Sequence, residues 1–421
     1  MEINFAERMN HFKDGIFSVL NAKKRQLINE GRKVYDFSVG TPDFKPEESS
    51  MKALMEAAKD PDKFKYAIAD LPELTESVIK WYKRRYDVDL NADEITSVNG
   101  SQEGLAHIGL VLFNPGDICL VPAPCYPIFE IGPFLSGAKV EYYHLKEENN
   151  YELDLDSIPE ETARKAKAIV VSYPANPVSA SVNPEFYPKL IAWAKKYNVI
   201  VIHDNAYSEM TFEGFEGTSF LCFEGAKDVG VEFNSLSKAY NLTGARISFC
   251  IGNNKIISEF KKLRSQIDYG VFLPIQYAAI AALNGPMDNI DKNREEYRRR
   301  REVLSEEFGK AGIPVKLSTG SMFMWTRLPE GYTNSGEFAM ELIEKAGVIV
   351  TPGSAFGEDG EGYIRIALTN TVEEIKAAAQ AIKDSGMFKE KIRYIFKILL
   401  FKQDFLFADD TDMFYFYDTF C

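Results

Sequence analysis

Long hydrophobic runs are missing from this sequence. No stretch of about eighteen apolar residues is free of charge, so no membrane-spanning helix is expected. Cysteine is scarce as well: five in 421 residues cannot make a disulfide framework, and the odd count leaves one over. Cys119, Cys125, Cys222 and Cys250 lie in apolar or proline-rich surroundings that suit small buried thiols. No two cysteines have C-x-x-C spacing, and no metal is expected. A reduced, cytoplasmic setting fits this usage. Basic charge is also short, with 49 Lys and Arg against 62 Asp and Glu. The resulting net charge of -13 argues against a general nucleic-acid partner, because phosphate backbones select basic faces. Residues Met1 to Asn10 lack the apolar core of a secretory signal. Repeats and low-complexity linkers are absent. What is present is ordinary for a soluble globular chain: 45% apolar and 26% charged residues. The length calls for two domains.

From Ile95 onward, short β-rich runs alternate with helical windows. The runs are Ile95–Val98, Ile118–Val121, Val140–Tyr143, Ala168–Ser172, Val199–His203, Val231–Asn234 and Ile247–Ile251. Helical windows fall at Gln102–Leu112, Ile128–Leu135 and Glu185–Tyr197, after earlier ones at Asn10–Glu30, Pro46–Lys59 and Leu74–Tyr86. Such alternation predicts an α/β fold with a mainly parallel, seven-stranded sheet covered by helices. After Gly285-Pro286 the texture changes to a charged helix, Asp288–Ala311. Strand-like Val315–Leu317, Met322–Arg327, Val348–Thr351 and Tyr363–Ala367 follow, then a helix over Val372–Ile382. This predicts a smaller α+β domain with which the N-terminal segment packs. The expected division is 1–44 for that segment, 45–285 for the large domain, 286–387 for the small one and 388–421 for a tail. In the tail, 11 of 34 residues are aromatic, against 13% for the chain. Phe388–Phe407 reads as an amphipathic helix docked on the body or on a second subunit.

The strongest local signal is Asn234-Ser235-Leu236-Ser237-Lys238, which leaves an apolar strand and is followed by Gly244-Ala245-Arg246. A lysine at the mouth of a sheet is desolvated, which lowers its pKa and makes it a nucleophile for Schiff-base chemistry. Ser235, Ser237 and Arg246 make a phosphate cradle. Alone, the motif is moderate evidence, because an isolated lysine is usually a solvated one. Two further elements arrive in order. Tyr173-Pro174-Ala175-Asn176-Pro177 follows one strand and His203-Asp204-Asn205-Ala206-Tyr207 ends another. An aspartate at a strand C-terminus lies where open α/β sheets bind ligands, and a buried one can hold a pyridine nitrogen protonated. By itself Asp204 reads as a helix N-cap; beside Asn176, Tyr207 and Lys238 it does not. Upstream, Ser101 and Gln102 open a helix whose amides can bind phosphate, although a plain capped turn explains them equally well in isolation. Tyr126 offers a ring that could stack on a cofactor.

Taken together, these motifs resemble the fold-type I, class I/II aminotransferases, from about Tyr35 to about Ile382. The resemblance implies pyridoxal 5'-phosphate held covalently by Lys238. It implies Asp204 at the pyridine nitrogen, and Tyr207 and Asn176 at the ring oxygen. Ser101, Gln102, Ser235, Ser237 and Arg246 would form the phosphate cup, with Tyr126 stacked on the ring. Arg365, in Tyr363-Ile364-Arg365-Ile366-Ala367, would take the substrate α-carboxylate in its planar fork, with the Gly40 backbone close by. Tyr66 would reach the phosphate of a neighbouring subunit, which implies a homodimer with shared sites. After Tyr66 this chain has Ala67-Ile68-Ala69-Asp70 where the family has a glycine-rich turn. Gln266–Phe272 resembles the segment of aminotransferases acting on LL-diaminopimelate, aspartate or alanine. The expected substrates are therefore an L-amino acid and a 2-oxo acid, with 2-oxoglutarate as acceptor. A C–S β-lyase would use the same cofactor residues. A non-catalytic effector-binding body is the reading from another class, but no helix-turn-helix or basic stripe precedes the match.

Overall fold

The structure is a computed structural model that describes residues 1–12 and 16–388. Its strands are β1 (Tyr35–Asp36), β2 (Ile95–Val98), β3 (Ile118–Ala123), β4 (Lys139–His144), β5 (Ala166–Ser172) and β6 (Ile200–Asn205). They continue as β7 (Gly230–Ser235), β8 (Ser248–Gly252), β9 (Phe323–Arg327), β10 (Val348–Ile349), β11 (Thr351–Pro352) and β12 (Tyr363–Ala367).

Strands β2 to β8 form one seven-stranded sheet in the order β2-β8-β7-β6-β5-β3-β4. The pairs from β7 to β4 are parallel, and β8 runs antiparallel to both β7 and β2. The connection from β7 to β8 holds only a four-residue helix, Leu236–Ala239, and a short 3-10 turn. A chain that lacks a full crossover helix returns beside its own strand in the opposite direction. Along the central strands, side chains alternate between two cores. Ala168, Val170 and Ile202 meet Leu105, Ile108 and Phe129 on one face. Ile169, Val171 and Val201 meet Trp81, Leu190 and Trp193 on the other. Burial on both faces accounts for the near-continuous apolar composition of these runs.

A second body is built from both ends of the described chain. Here β1 pairs with β10, and β11, β12 and β9 form an antiparallel sheet. Leu20 and Leu27, from the helix Ile16–Asn29, share its core with Phe308, Leu342 and Ile375. The fold is thus the expected one, a mainly parallel seven-stranded α/β body plus a smaller α+β body.

Three expectations change. Val315–Leu317 is not a strand; the Val315 carbonyl accepts instead from the Ser305 hydroxyl at 2.6 Å, on the long helix Asp288–Lys310. Val348–Thr351 divides into β10 and β11, which belong to different sheets. The helices Asn254–Arg264 and Leu273–Asn284 are additional to those read from the sequence. The helix expected over Phe388–Phe407 lies, beyond Phe388 itself, outside the described residues. Among the described residues no helix is long and apolar enough to cross a membrane.

Candidate active site

Parallel strands deliver their C-terminal ends to one edge of a sheet, and the loops leaving β5, β6 and β7 open there around a cavity of about 350 Å³. Asn176 follows β5, Asp204 lies within β6, and Lys238 sits on the four-residue helix after β7. Ser235 caps that helix: its hydroxyl accepts from the Ser237 amide at 3.2 Å and so fixes the turn that aims the lysine.

The Lys238 amine donates to the Gly40 carbonyl at 2.5 Å. Burial, with the positive charges of Arg365 and Arg246 nearby, lowers its pKa to about 8. A useful fraction is therefore neutral and nucleophilic near neutral pH. Asp204 shows the opposite effect: burial raises its carboxyl to about 7. Its Oδ1 is buried and has no hydrogen-bond partner among the described residues. An orphaned acceptor in a dry site is costly, and a cationic N–H group placed against it would relieve that cost.

At the opposite end of the cavity, Ser101 and Gln102 begin the helix Ser101–Leu112. The Ser101 hydroxyl donates to that of Ser248 at 3.2 Å, which donates to that of Ser235 at 2.8 Å. Arg246 adopts a left-handed backbone, φ 53°, and anchors its guanidinium on the Thr243 carbonyl at 3.1 Å. That guanidinium lies against Gly100, where any Cβ would collide with it. A helix N-terminus, serine hydroxyls and a fixed cation make a cup for a phosphate dianion. Between the two ends Tyr126, whose hydroxyl donates to Gln102 Oε1 at 3.1 Å, and Tyr207 line the cavity.

Arg365, on β12, reaches in from the smaller body. It donates to Asn176 Oδ1 at 2.8 Å and to the Ser38 carbonyl at 3.1 Å, while its Nε is buried without a partner. Phe323 and Phe356 flank the guanidinium, their ring centres 4.0 and 4.6 Å from its carbon. Burial lowers its pKa to about 10, so it stays a cation at neutral pH. A buried cation that has an unfilled N–H and no carboxylate partner among the described residues suits an incoming substrate carboxylate.

Every residue expected in the site lines this cavity except Tyr66. Tyr66 is 80% exposed and rests on Tyr269, with ring centres 5.4 Å apart. Its loop is nevertheless well held, because the Asp70 carboxylate accepts from the Ser97 amide at 2.7 Å. Thr41, Thr243 and Phe323 also line the cavity and were not singled out from the sequence. Thr41 adjoins Gly40 and Thr243 lies three residues before Arg246, so proximity to the motifs was their one signal.

A phosphate cup, a reactive amine and an unpaired buried carboxylate, set around one cavity, fit pyridoxal phosphate end to end. Comparison with known proteins points the same way. The chain is 44% identical to an LL-diaminopimelate aminotransferase of Aquifex aeolicus over 382 residues, covering 90% of this chain and 98% of the relative. It is 42% identical to one of Halothermothrix orenii, covering 91% and 98%. Its structure resembles that of a probable N-succinyldiaminopimelate aminotransferase from Thermus thermophilus, with a TM-score of 0.83, 33% identity and coverage of 88% and 100%. Residues 32–382 match the family described as Aminotransferase class I and II, and so the chain belongs to that family of pyridoxal phosphate-dependent enzymes, which move an amino group between an amino acid and a 2-oxo acid.

Proposed function

We propose that the amino donor is LL-diaminopimelate and the acceptor 2-oxoglutarate. The identity of 44% to a relative of that activity over nearly its whole length carries this reading. The likeness of Gln266–Phe272 to the same group of enzymes supports it locally.

Each site residue then has a task. Bound in the cavity, the cofactor supplies an aldehyde for amines to condense with and an electron-withdrawing ring. Lys238 would hold it covalently, and the Lys238 amine, when free, would carry the substrate Cα proton. Asp204 would keep the ring nitrogen protonated. Tyr207 and Asn176 would donate to the ring oxygen, with Tyr126 against the ring. Ser101, Gln102, Ser235, Ser237 and Arg246 would hold the phosphate. Arg365, with the Gly40 backbone beside it, binds the α-carboxylate. Tyr66 completes the phosphate site of a second copy in a cytoplasmic homodimer. The large domain spans 45–285 and the small one 286–387 together with residues 1–44.

The decisive assay offers the purified enzyme 2-oxoglutarate with LL-diaminopimelate, aspartate or alanine and follows glutamate. LL-diaminopimelate should exceed the others in kcat/KM by about a hundredfold, corresponding to about 2.7 kcal/mol. Equal turnover of aspartate or alanine would remove the donor assignment and leave the family membership intact.

A further inference from the structure

The segment that carries Gly40 lines the cavity, and a residue outside that lining holds it. Arg300, in the middle of the helix Asp288–Lys310, is 4% exposed and does not line the cavity. Its two terminal nitrogens donate to the two carboxylate oxygens of Asp43, at 2.7 and 2.9 Å. Nη1 also donates to the Leu368 carbonyl at 3.1 Å, and Nε to Glu296 at 3.1 Å. The Phe44 ring centre lies 4.8 Å from the guanidinium carbon.

Asp43 is three residues after Gly40, and Leu368 is three residues after Arg365. A single planar cation thus ties the loop that bears Ser38 and Gly40 to the strand that bears Arg365. Beside it the Thr369 hydroxyl donates to the Val39 carbonyl at 3.1 Å. The fork geometry matters, because two parallel N–H donors fix the orientation of Asp43 as well as its distance.

We propose that Arg300, acting through Asp43, is a positioning residue for the substrate carboxylate: it sets the separation between the Gly40 loop and the Arg365 guanidinium. The proposal rests on the reading of Arg365 as the carboxylate site. Misplacement of groups by an ångström weakens a clamp without touching the chemistry behind it.

The test uses holoenzyme carrying Arg300→Lys, Asp43→Asn or both, with Arg365→Lys as reference. Binding of acetate or propionate, neither of which can react, is read from the change in cofactor absorbance, and KM and kcat are measured for the amino donor. Carboxylate affinity should fall about tenfold and KM rise to match, with kcat within threefold and an unchanged resting cofactor spectrum. The double variant should be no worse than the weaker single, because the two residues form one cross-link. Asp43 is a third exposed on its side chain, so Asp43→Asn keeps the test open if Arg300→Lys does not fold. A folded Asp43→Asn with native carboxylate affinity overturns the proposal, as does an equal loss in kcat and cofactor retention, which marks a merely structural role. If Arg365→Lys also binds carboxylate normally, it is the assignment of Arg365 that has failed.

Discussion

Burial drives the titration of Lys238 and Asp204 in opposite directions, and both effects are measurable before any substrate is added. In the cofactor-free protein, folded Asp204 keeps its proton to about pH 7, whereas the unfolded chain releases it near 3.8. The folded state binds more protons in that interval, so stability falls as pH rises through it, by at most about 1.4 kcal/mol per pH unit. Asp204→Asn should flatten the slope, as read from urea midpoints at pH 5 and 7. Lys238 has the reverse sign: its folded pKa is about 8 against 10.5, so its contribution to stability rises from about pH 8 to 10.5. Covalent capture of the cofactor needs the neutral amine. Its observed rate should therefore climb with pH and level off above about 8, with Lys238→Ala showing no capture at any pH. A rate that goes on climbing well past pH 8, towards the ordinary lysine value of about 10.5, would mean that the amine is not desolvated as the geometry requires.

Among the elements, the turn before the helix Ser101–Leu112 has little tolerance for a side chain. Gly100 has φ 89° and ψ 150°, a conformation that side chains strongly disfavour, and its missing Cβ leaves room for the Arg246 guanidinium. Gly100→Ala adds backbone strain of about 1–3 kcal/mol and displaces that cation. Cofactor affinity should drop by roughly tenfold to a hundredfold in a fluorescence titration, whereas unchanged affinity would show that Arg246 does not grip the phosphate. Most of this architecture could be read from the chain. The seven β-rich runs of the large body are recognisable because each is short, apolar and bounded by helical periodicity. The order of Asn176, Asp204 and Lys238 after three successive strands signals the site. The direction of β8 was not readable, since composition does not record which way a strand runs. Val315–Leu317 misled because Val315 faces a core without strand pairing, while Leu317 is exposed. Phe323 was missed because an aromatic residue on β9 looks like any core residue until its ring is found against Arg365.

At the scale of the whole molecule, Phe64, Tyr66, Ile68, Tyr269 and Phe272 are all exposed, with Phe64 against Phe272 and Tyr66 against Tyr269 at ring-centre distances of 5.2 and 5.4 Å. Two loops, held by Asp70 and by the buried Arg264–Asp268 pair, present these side chains together. Patches of this kind mark association surfaces. Ile68→Glu should shift the proposed dimer towards monomer in light scattering and weaken cofactor retention with it, since Tyr66 could no longer reach a second cup. A dimer that persists with full cofactor affinity would place the subunit contact elsewhere.

The cavity draws its walls from very different points along the chain, and Arg365 is contributed by β12, the last strand of the described residues. Synthesis runs from the N-terminus, so Ser101, Asp204, Lys238 and Arg246 leave the ribosome well before Arg365 does. A nascent chain therefore carries the residues proposed for the phosphate and the ring while still lacking the arginine proposed for a substrate carboxylate.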